Sequence, residues 1–406
     1  MPKAKTIDYR FKILYAVAIT MVVCSHIFNG TSVDGQPVNY ELGFDLFYHW
    51  FPYGSLQLAI FAFASGYFFR VRPNERARTY VWRKFKQLII PMYLYNFLYG
   101  WIVRVTALQG FSIGGYVTWD SLLLAPLYDG NQFRYNVGGW FVVPLFLIQS
   151  FNLLVRRFFA PFESETFHVP EWAYFVFYFS FGLLGNTLAI KGYNTGWWLL
   201  LVRPLHLLPF FALGSFYRHT LEKYDTIKSI WLLPACLLAK YLIAAWVGYM
   251  PDYAPMWCNN FVNGPLLPIL VGYIGIIFWL RLARILEASL GRTRLVNLIA
   301  DNTYSIMINQ FAGFMLVKGF FALVATITPF LGDFNFAAWH SDIWWYYEAF
   351  GLHQSLLLYL AAGLTVPILI QKGLNFATSE LAALDKRHPQ SPPGLKPTKH
   401  HKLTIK

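Results

Sequence analysis

The chain has 406 residues, of which 56% are hydrophobic, 19% aromatic and only 13% charged, and its formal net charge is +13. Because soluble globular proteins carry roughly 25% charged residues, this composition excludes an ordinary soluble domain. Apolar runs of about 20 residues, the length that crosses a bilayer, recur along the chain. We therefore expect an all-α, polytopic integral membrane protein with about ten transmembrane helices.

The three cysteines are widely spaced along the chain. Their odd number and their spacing predict neither a disulfide framework nor a metal site. The histidines at positions 49, 168, 206, 219, 340 and 353 also lack the close spacing of metal ligands, so no metal site is predicted. The positive charge lies in loops between apolar runs and not on a soluble domain, so it does not predict nucleic-acid binding.

The first apolar run follows a basic N-terminus. It is longer than a signal-peptide core and has no clear small-residue cleavage site, so we expect it to be retained as the first span. The predicted spans lie near residues 13–30, 51–70, 85–106, 138–155, 172–190, 197–217, 229–249, 263–283, 303–327 and 352–371.

The loop charges support this count of spans. The loops after odd-numbered spans contain only two basic residues, Arg134 and Lys191, against nine acidic residues. The termini and the other loops hold nearly all the remaining basic residues, which places both termini in the cytoplasm by the positive-inside rule. We expect a cytoplasmic segment at 1–12, a transmembrane domain at 13–380, and a disordered basic tail near anionic lipid at 381–406.

His26 lies near the end of the first apolar run, in Val22-Val23-Cys24-Ser25-His26. A titratable side chain inside a span is costly, and is therefore a functional hypothesis by default. The pKa of histidine suits proton transfer near neutral pH. The alternative is a histidine that only bonds a neighbouring helix.

Arg203 and His206 are three residues apart in the sixth span and should share a helix face. Pro204 and Pro209 interrupt the backbone hydrogen bonding of the same helix, and broken helices at membrane depth are tolerated where they line a cavity. This pattern favours a polar site inside the bundle. The alternative is a kinked structural helix with an interface anchor.

The loops assigned to the outside are rich in aromatic residues, with acidic residues such as Asp45, Asp342 and Glu348 nearby. Most Trp and Tyr residues at such positions form an interfacial belt. The alternative is that a few of them form a stacking and hydrogen-bonding floor for a sugar.

Seven basic residues lie within one short loop on the cytoplasmic side. They are Arg70, Arg72, Arg76, Arg78, Arg83, Lys84 and Lys86. The positive-inside rule explains part of this excess. Such a concentration of charged donors also suits a ligand that carries several phosphates.

Five segments together resemble the membrane-bound acyltransferase family 3, over about residues 8–380. They are VVCSH at 22–26, FAFASGYFF at 61–69, RKFKQLIIPMY at 83–93, GGWFVVPL at 138–145 and RPLHLLPFFALG at 203–214. The last segment is similar to the polysaccharide-modifying subgroup, which includes intercellular-adhesin modifiers. A weaker match at 301–310 has Asn309 where the family often has histidine. Tyr15 stands where the family usually has a basic residue.

The resemblance implies transfer of an acyl group, expected to be acetyl, to a hydroxyl of an extracytoplasmic polysaccharide or glycan. The donor would be cytoplasmic acyl-coenzyme A, used as a substrate, with no bound cofactor. The location implied is the inner membrane of a bacterial cell. The implied partners are the glycan acceptor, the lipid bilayer and polysaccharide synthase or export machinery.

The resemblance also implies that His26 is the base. From the chemistry of their side chains, Arg203 and Tyr67 are candidates to stabilise the oxyanion. Ser25 and Ser65 are candidate nucleophiles, and the alternative is that these serines serve helix packing. Two further groups complete the expected site: Arg83, Lys86, Arg78 and Arg76 at the phosphates of the donor, and Asp45, Trp140, His206 and Asn309 at the acceptor.

Two other functions remain open at this point. A transporter or flippase for a small solute or lipid-linked glycan would share the spans and the buried Arg and His, but it predicts internal repeats with paired broken helices. The two halves of this chain show no convincing similarity. A non-catalytic member that binds glycan for a synthase complex is the third hypothesis, and Tyr15 keeps it open.

Overall fold

The computed structural model describes residues 7–28, 56–72, 75–162, 168–248, 253–261 and 263–387. The structure is 80% helical, and among the described residues the β pairing is limited to an isolated bridge between Ala254 and Asn259. The expected all-α class is confirmed.

Eleven main helices are labelled here in chain order. They are α1 (Tyr9–Phe28), α2 (Leu56–Tyr67), α3 (Ala77–Leu108), α4 (Val142–Phe159), α5 (Glu171–Ile190), α6 (Leu199–Phe216), α7 (Ser229–Val247), α8 (Leu267–Leu290), α9 (Arg294–Asp301), α10 (Thr303–Ile327) and α11 (Leu356–Arg387).

Nine helical segments in the described ranges are long and apolar enough to cross a membrane, and α2 contributes a shorter apolar helix. These ten segments correspond to the ten predicted spans, so the polytopic expectation is confirmed. Residues 51–55 of the second predicted span lie outside the described residues. Helix α9 was not predicted, and its eight residues are too short to cross a bilayer.

Two glycines allow α2 and α6 to pack backbone against backbone. A Cβ atom on Gly66 would lie 1.9 Å from the carbonyl oxygen of Phe211, and a Cβ on Gly214 would lie equally close to that of Phe63. Small residues permit such close approach between membrane helices. The Ser-Gly-Tyr segment of α2 is therefore held tightly against α6.

Helix α1 lies inside the bundle, in contact with α2, α8, α9 and α10. We call the end of the bundle that contains the start of α1 the Arg10 end, and the opposite end the His26 end. Arg10 and His26 are sixteen residues apart on this helix, which corresponds to about 24 Å along its axis at 1.5 Å per residue.

The chain between α3 and α4 folds back onto the bundle. It contains the short helix Ala125–Tyr128 and the tight helical stretch Arg134–Phe141. A Cβ on Gly138 would lie 2.0 Å from the carbonyl oxygen of Met307, so this stretch packs directly on α10. Gly130, with a φ of +72°, packs in the same way against the backbone of Trp140.

By its internal contacts the chain divides into two units, Met1–Ile368 and Leu369–Lys406. The first unit contains all the candidate site residues. The described part of the second is helical as far as Arg387, and nearly all its side chains are exposed up to Glu380. Most of the predicted tail at 381–406 lies outside the described residues.

Candidate active site

His26 lies at the end of α1, where its imidazole meets α10. Its Nδ1 is 2.9 Å from Oε1 of Gln310, and Nε2 of the same glutamine donates to the carbonyl oxygen of Met307 at 3.1 Å. Because the side-chain nitrogen of Gln310 donates to the Met307 carbonyl, the side-chain oxygen of Gln310 faces the imidazole. That oxygen accepts a hydrogen bond from Nδ1 of His26. The hydrogen-bond network therefore leaves Nε2 of His26 with the lone pair of a base.

Aromatic side chains pack around this imidazole. The ring centroids of Phe311 and Trp344 lie 5.3 Å and 5.8 Å from that of His26. The hydroxyl of Tyr346 donates to the backbone carbonyl oxygen of His26 at 2.8 Å. His26 itself remains partly exposed. The ring is thus held in place from two sides and still open to a reactant.

Asn309 precedes Gln310 on α10 and makes different contacts. Its Oδ1 accepts from the hydroxyl of Tyr99 at 2.9 Å, and its Nδ2 donates to Oγ of Ser305 at 3.1 Å. These bonds join α10 to α3 within the bundle. The polar partner of His26 is therefore Gln310, one position beyond the residue that the sequence comparison singled out.

Arg203 is only 2% exposed and donates to three backbone carbonyl oxygens near the His26 end. The bonds reach Met256 at 2.7 Å, Tyr128 at 3.2 Å and Asp129 at 3.0 Å. Its guanidinium lies 5.0 Å from the ring centroid of Trp140. Arg203 therefore organises two irregular segments and brings Trp140 to them. The described contacts do not connect it directly to His26.

His206, one turn further along α6, is 1% exposed. Its Nδ1 lies 2.8 Å from Oδ1 of Asn186, and its ring stacks on Phe261 with centroids 5.0 Å apart. Arg203 and His206 thus both reach the segment 253–261. The structure therefore places Trp140, Arg203 and His206 close to one another, whereas Asn309 lies between α10 and α3, bonded to Tyr99. Asp45 lies outside the described residues.

Tyr67 lies at the Arg10 end. Its hydroxyl donates to Oε2 of Glu222 at 2.9 Å, and Nη2 of Arg10 lies 2.7 Å from Oε1 of the same carboxylate. The Tyr67 ring also packs on Phe11, with centroids 4.4 Å apart. Since these partners lie near the start of α1, the structure does not bring Tyr67 to His26.

A cavity of about 320 Å³ lies between α1, α2, α3, α4 and α10. Its polar lining includes Ser65, whose Oγ accepts from Nε2 of Gln149 at 2.8 Å, and Lys84 on α3. Tyr15, stacked on Phe61 with centroids 5.9 Å apart, forms part of its wall. Met307, whose carbonyl holds Gln310, also lines it. The cavity is therefore lined both by Lys84 and by the residue that holds the hydrogen-bond partner of His26.

The basic segment 70–86, expected as a loop, is helical from Ala77 onwards because α3 begins there. It contains one strongly paired arginine. Nε and Nη2 of Arg83 donate to the two carboxylate oxygens of Glu75 at 2.9 Å each, and the backbone amide of Arg72 donates to Glu75 at 3.1 Å. The bonds from Arg83 lower the pKa of the Glu75 carboxyl to about 2. The guanidinium of Arg83, expected at a phosphate of the donor, is thus bonded to Glu75 through Nε and Nη2.

The other basic residues of this segment are arranged differently. Arg76, Arg78 and Lys86 are exposed, and the ammonium of Lys86 lies 5.2 Å from the ring centroid of Trp82. Lys84, which the sequence motif did not distinguish from its neighbours, is the one that lines the cavity. The sequence spacing does not distinguish Lys84 from Lys86. Which lysine lines the cavity depends on which helices pack against each side of α3.

The family model of acyltransferase family 3, described as an acyltransferase domain, matches residues 8–371. Neither the curated proteins nor the solved structures contain a match. The matched range includes His26, Gln310 and every residue that lines the cavity. A match over nearly the whole chain, on a polytopic helical bundle, shows that this chain belongs to acyltransferase family 3 and is a multi-pass membrane acyltransferase.

Proposed function

We propose that the protein transfers an acyl group, of which acetyl is the expected one, from cytoplasmic acyl-coenzyme A to a hydroxyl of an extracytoplasmic glycan. The observation that carries this proposal is a residue shared by the cavity and the support of His26. Lys84 and Met307 both line the cavity, and Met307 holds the glutamine that orients the imidazole. The Arg10 end would face the cytoplasm of a bacterial cell and the His26 end its outside.

The chemistry follows from the tautomer of His26. Its Nε2 takes the proton of the acceptor hydroxyl while that oxygen attacks the thioester carbonyl. The carbon–sulfur bond then breaks, and the coenzyme A thiolate leaves with the proton returned by the imidazolium. Gln310 accepts from Nδ1 throughout, which keeps the ring oriented. A general base of this kind contributes about 10²–10⁴-fold to the rate.

The donor would occupy the cavity. Its lining is mainly apolar and aromatic, which suits the pantetheine arm and a short acyl group, with the Ser65–Gln149 pair as a polar contact. Lys84 and the exposed Arg76, Arg78 and Lys86 supply positive charge for the phosphates. Ser65 accepts a hydrogen bond from a neutral amide and has no neighbouring base among its described contacts, so direct transfer is proposed without an acyl-serine.

The acceptor would approach from the His26 end. The partly exposed Trp344 packs on His26 there, and the buried pair of Trp140 and Arg203 holds the irregular segments at the same end. An aromatic face such as that of Trp344 suits a saccharide. Polysaccharide synthase or export machinery would deliver it.

The proposal is tested with protein in lipid nanodiscs, radiolabelled acetyl-coenzyme A and surface polysaccharide from a deletion strain. Wild type should move the label to the polysaccharide, and His26→Ala should lose this activity while retaining its fold. In cells, the O-acyl signals in the NMR spectrum of the polysaccharide should vanish on deletion and return only with wild type. A chemically unchanged polysaccharide that is reduced in amount at the surface would overturn the proposal and indicate export.

A further inference from the structure

Lys318 is a fully buried lysine that the proposed mechanism does not use. It is 0% exposed, and it lies eight residues beyond Gln310 on α10, about 12 Å further along the helix at 1.5 Å per residue. Its Nζ donates to the carbonyl oxygen of Ile343 at 2.6 Å. The same ammonium lies 4.7 Å from the ring centroid of Tyr346. Removing a charge from water is costly, so such a lysine needs these partners.

The partners of Lys318 belong to one irregular stretch, which we call the 342–347 segment. Its backbone forms neither helix nor strand. In a membrane protein, backbone of this kind must find its hydrogen bonds within the protein. Lys318 satisfies the carbonyl of Ile343, and the amide of Tyr347 donates to the hydroxyl of Tyr359 at 3.1 Å. Lys318 is therefore an anchor of the segment on α10.

The same segment contacts His26 at two points. The ring of Trp344 packs against the imidazole with centroids 5.8 Å apart. The hydroxyl of Tyr346 donates to the His26 carbonyl oxygen at 2.8 Å, and the face of this tyrosine ring is the one that lies beside the ammonium of Lys318. Through Tyr346, a cation–π contact and a hydrogen bond thus connect the buried charge of Lys318 to His26.

We propose that Lys318 is a positioning residue, which holds the 342–347 segment in the place from which Trp344 and Tyr346 orient His26. Without the ammonium, Ile343 loses its donor and Tyr346 loses its cation–π partner. The segment is then free to move away from the imidazole, while Gln310 still holds Nδ1. The role in catalysis rests on the proposed acyl transfer, but the role in holding the segment does not.

The first experiment measures the accessibility of His26 and needs no activity. Wild type, Lys318→Met and Lys240→Met proteins in nanodiscs are treated with diethylpyrocarbonate, and the modification rate of His26 is followed by mass spectrometry. Lys240 is a buried lysine on α7 and serves as the matched control. We expect the His26 rate to rise several-fold in Lys318→Met alone. Equal rates in all three proteins would overturn the proposal.

The second experiment measures kinetics in the same proteins. In Lys318→Met, kcat should fall by about 10²-fold, since small misplacement of a catalytic group can cost that much, with the KM for acetyl-coenzyme A unchanged. A merely structural lysine would lower the yield of folded protein without changing kcat per folded molecule. Inactive wild type would refute the proposed function, and the modification rates would still decide the role of Lys318.

A second variant covers the case in which Lys318→Met does not fold. Tyr346→Phe keeps the ring beside Lys318 and removes only the hydroxyl that bonds to His26. It should raise the modification rate of His26 and lower kcat, as Lys318→Met does, but both changes should be smaller than in Lys318→Met. Unchanged rate and kcat in Tyr346→Phe would overturn the connection from Lys318 to His26.

Discussion

Nδ1 of His26 and Oε1 of Gln310 lie 2.9 Å apart, although the two residues are separated by 284 positions in the sequence. The glutamine is itself oriented by its bond to the carbonyl of Met307 at 3.1 Å. This arrangement decides which ring nitrogen of His26 carries the hydrogen, and so which one can act as a base.

The substitution Gln310→Leu tests that relationship. Loss of a hydrogen bond to a group that becomes charged removes about 1.5–3 kcal/mol, so kcat should fall by roughly ten- to a hundredfold. The KM for the acyl donor should change little, because Gln310 acts on His26. Steady-state transfer of labelled acetyl groups measures both quantities. Gln109→Leu, at an exposed glutamine beyond α3, is the control, and equal kcat values in the two variants would contradict the prediction.

The basic segment 70–86 offers a comparison between two lysines on α3. Lys84 lines the cavity, whereas Lys86 is exposed beside Trp82. Lys84→Met should raise the KM for acyl-coenzyme A by about tenfold, the loss expected for one charge-assisted bond. Lys86→Met should have a smaller effect, since exposed ion pairs contribute about 0–1 kcal/mol. The reverse order of the two KM values would show that the cavity does not hold the donor.

Arg203 should matter for stability as well as for transfer. Arg203→Ala leaves the carbonyl groups of Met256, Tyr128 and Asp129 without their donor, and each buried unsatisfied group costs about 1–3 kcal/mol. We expect a lower Tm in detergent and reduced transfer. Arg104→Ala, at an exposed arginine of α3, should leave Tm unchanged. A normal Tm for Arg203→Ala would mean that water replaces the guanidinium at no cost.

The ion pair between Glu75 and Arg83 predicts a pH dependence of the loop before α3. The folded pKa of Glu75 is lowered from 4.5 to about 2, so its contribution to stability is present above pH 4.5. It should be lost as the pH falls from that value towards about 2, where the carboxyl gains a proton. Hydrogen exchange of the peptide that contains Arg76 and Arg78 measures the loosening of the loop.

The substitution Glu75→Gln is the control for this effect, because it removes the charge at every pH. Its loop should be weakly protected even at neutral pH, and its protection relative to an unstructured peptide at the same pH should no longer change between pH 4.5 and about 2. If wild type and Glu75→Gln exchange alike at neutral pH, the ion pair does not hold the loop.

Local patterns in the sequence were enough to identify a helical membrane protein, because crossing a bilayer requires a long apolar stretch at each span. Each span must supply about 20 apolar residues and satisfy its own backbone, so its position can be recognised within a single stretch. The family motifs also led to His26 without any knowledge of its neighbours, since an ionisable residue within a span is conspicuous.

Which side chains act together could be seen only in the folded bundle. It paired His26 with Gln310, placed Tyr67 at the other end of α1, and turned Lys84 into the cavity while Arg83 bonds to Glu75. Neighbouring residues such as Lys84 and Lys86 have the same chemistry and differ only in what packs against them. These contacts join residues far apart in the chain, so they depend on the packing of the whole bundle, which no local pattern encodes.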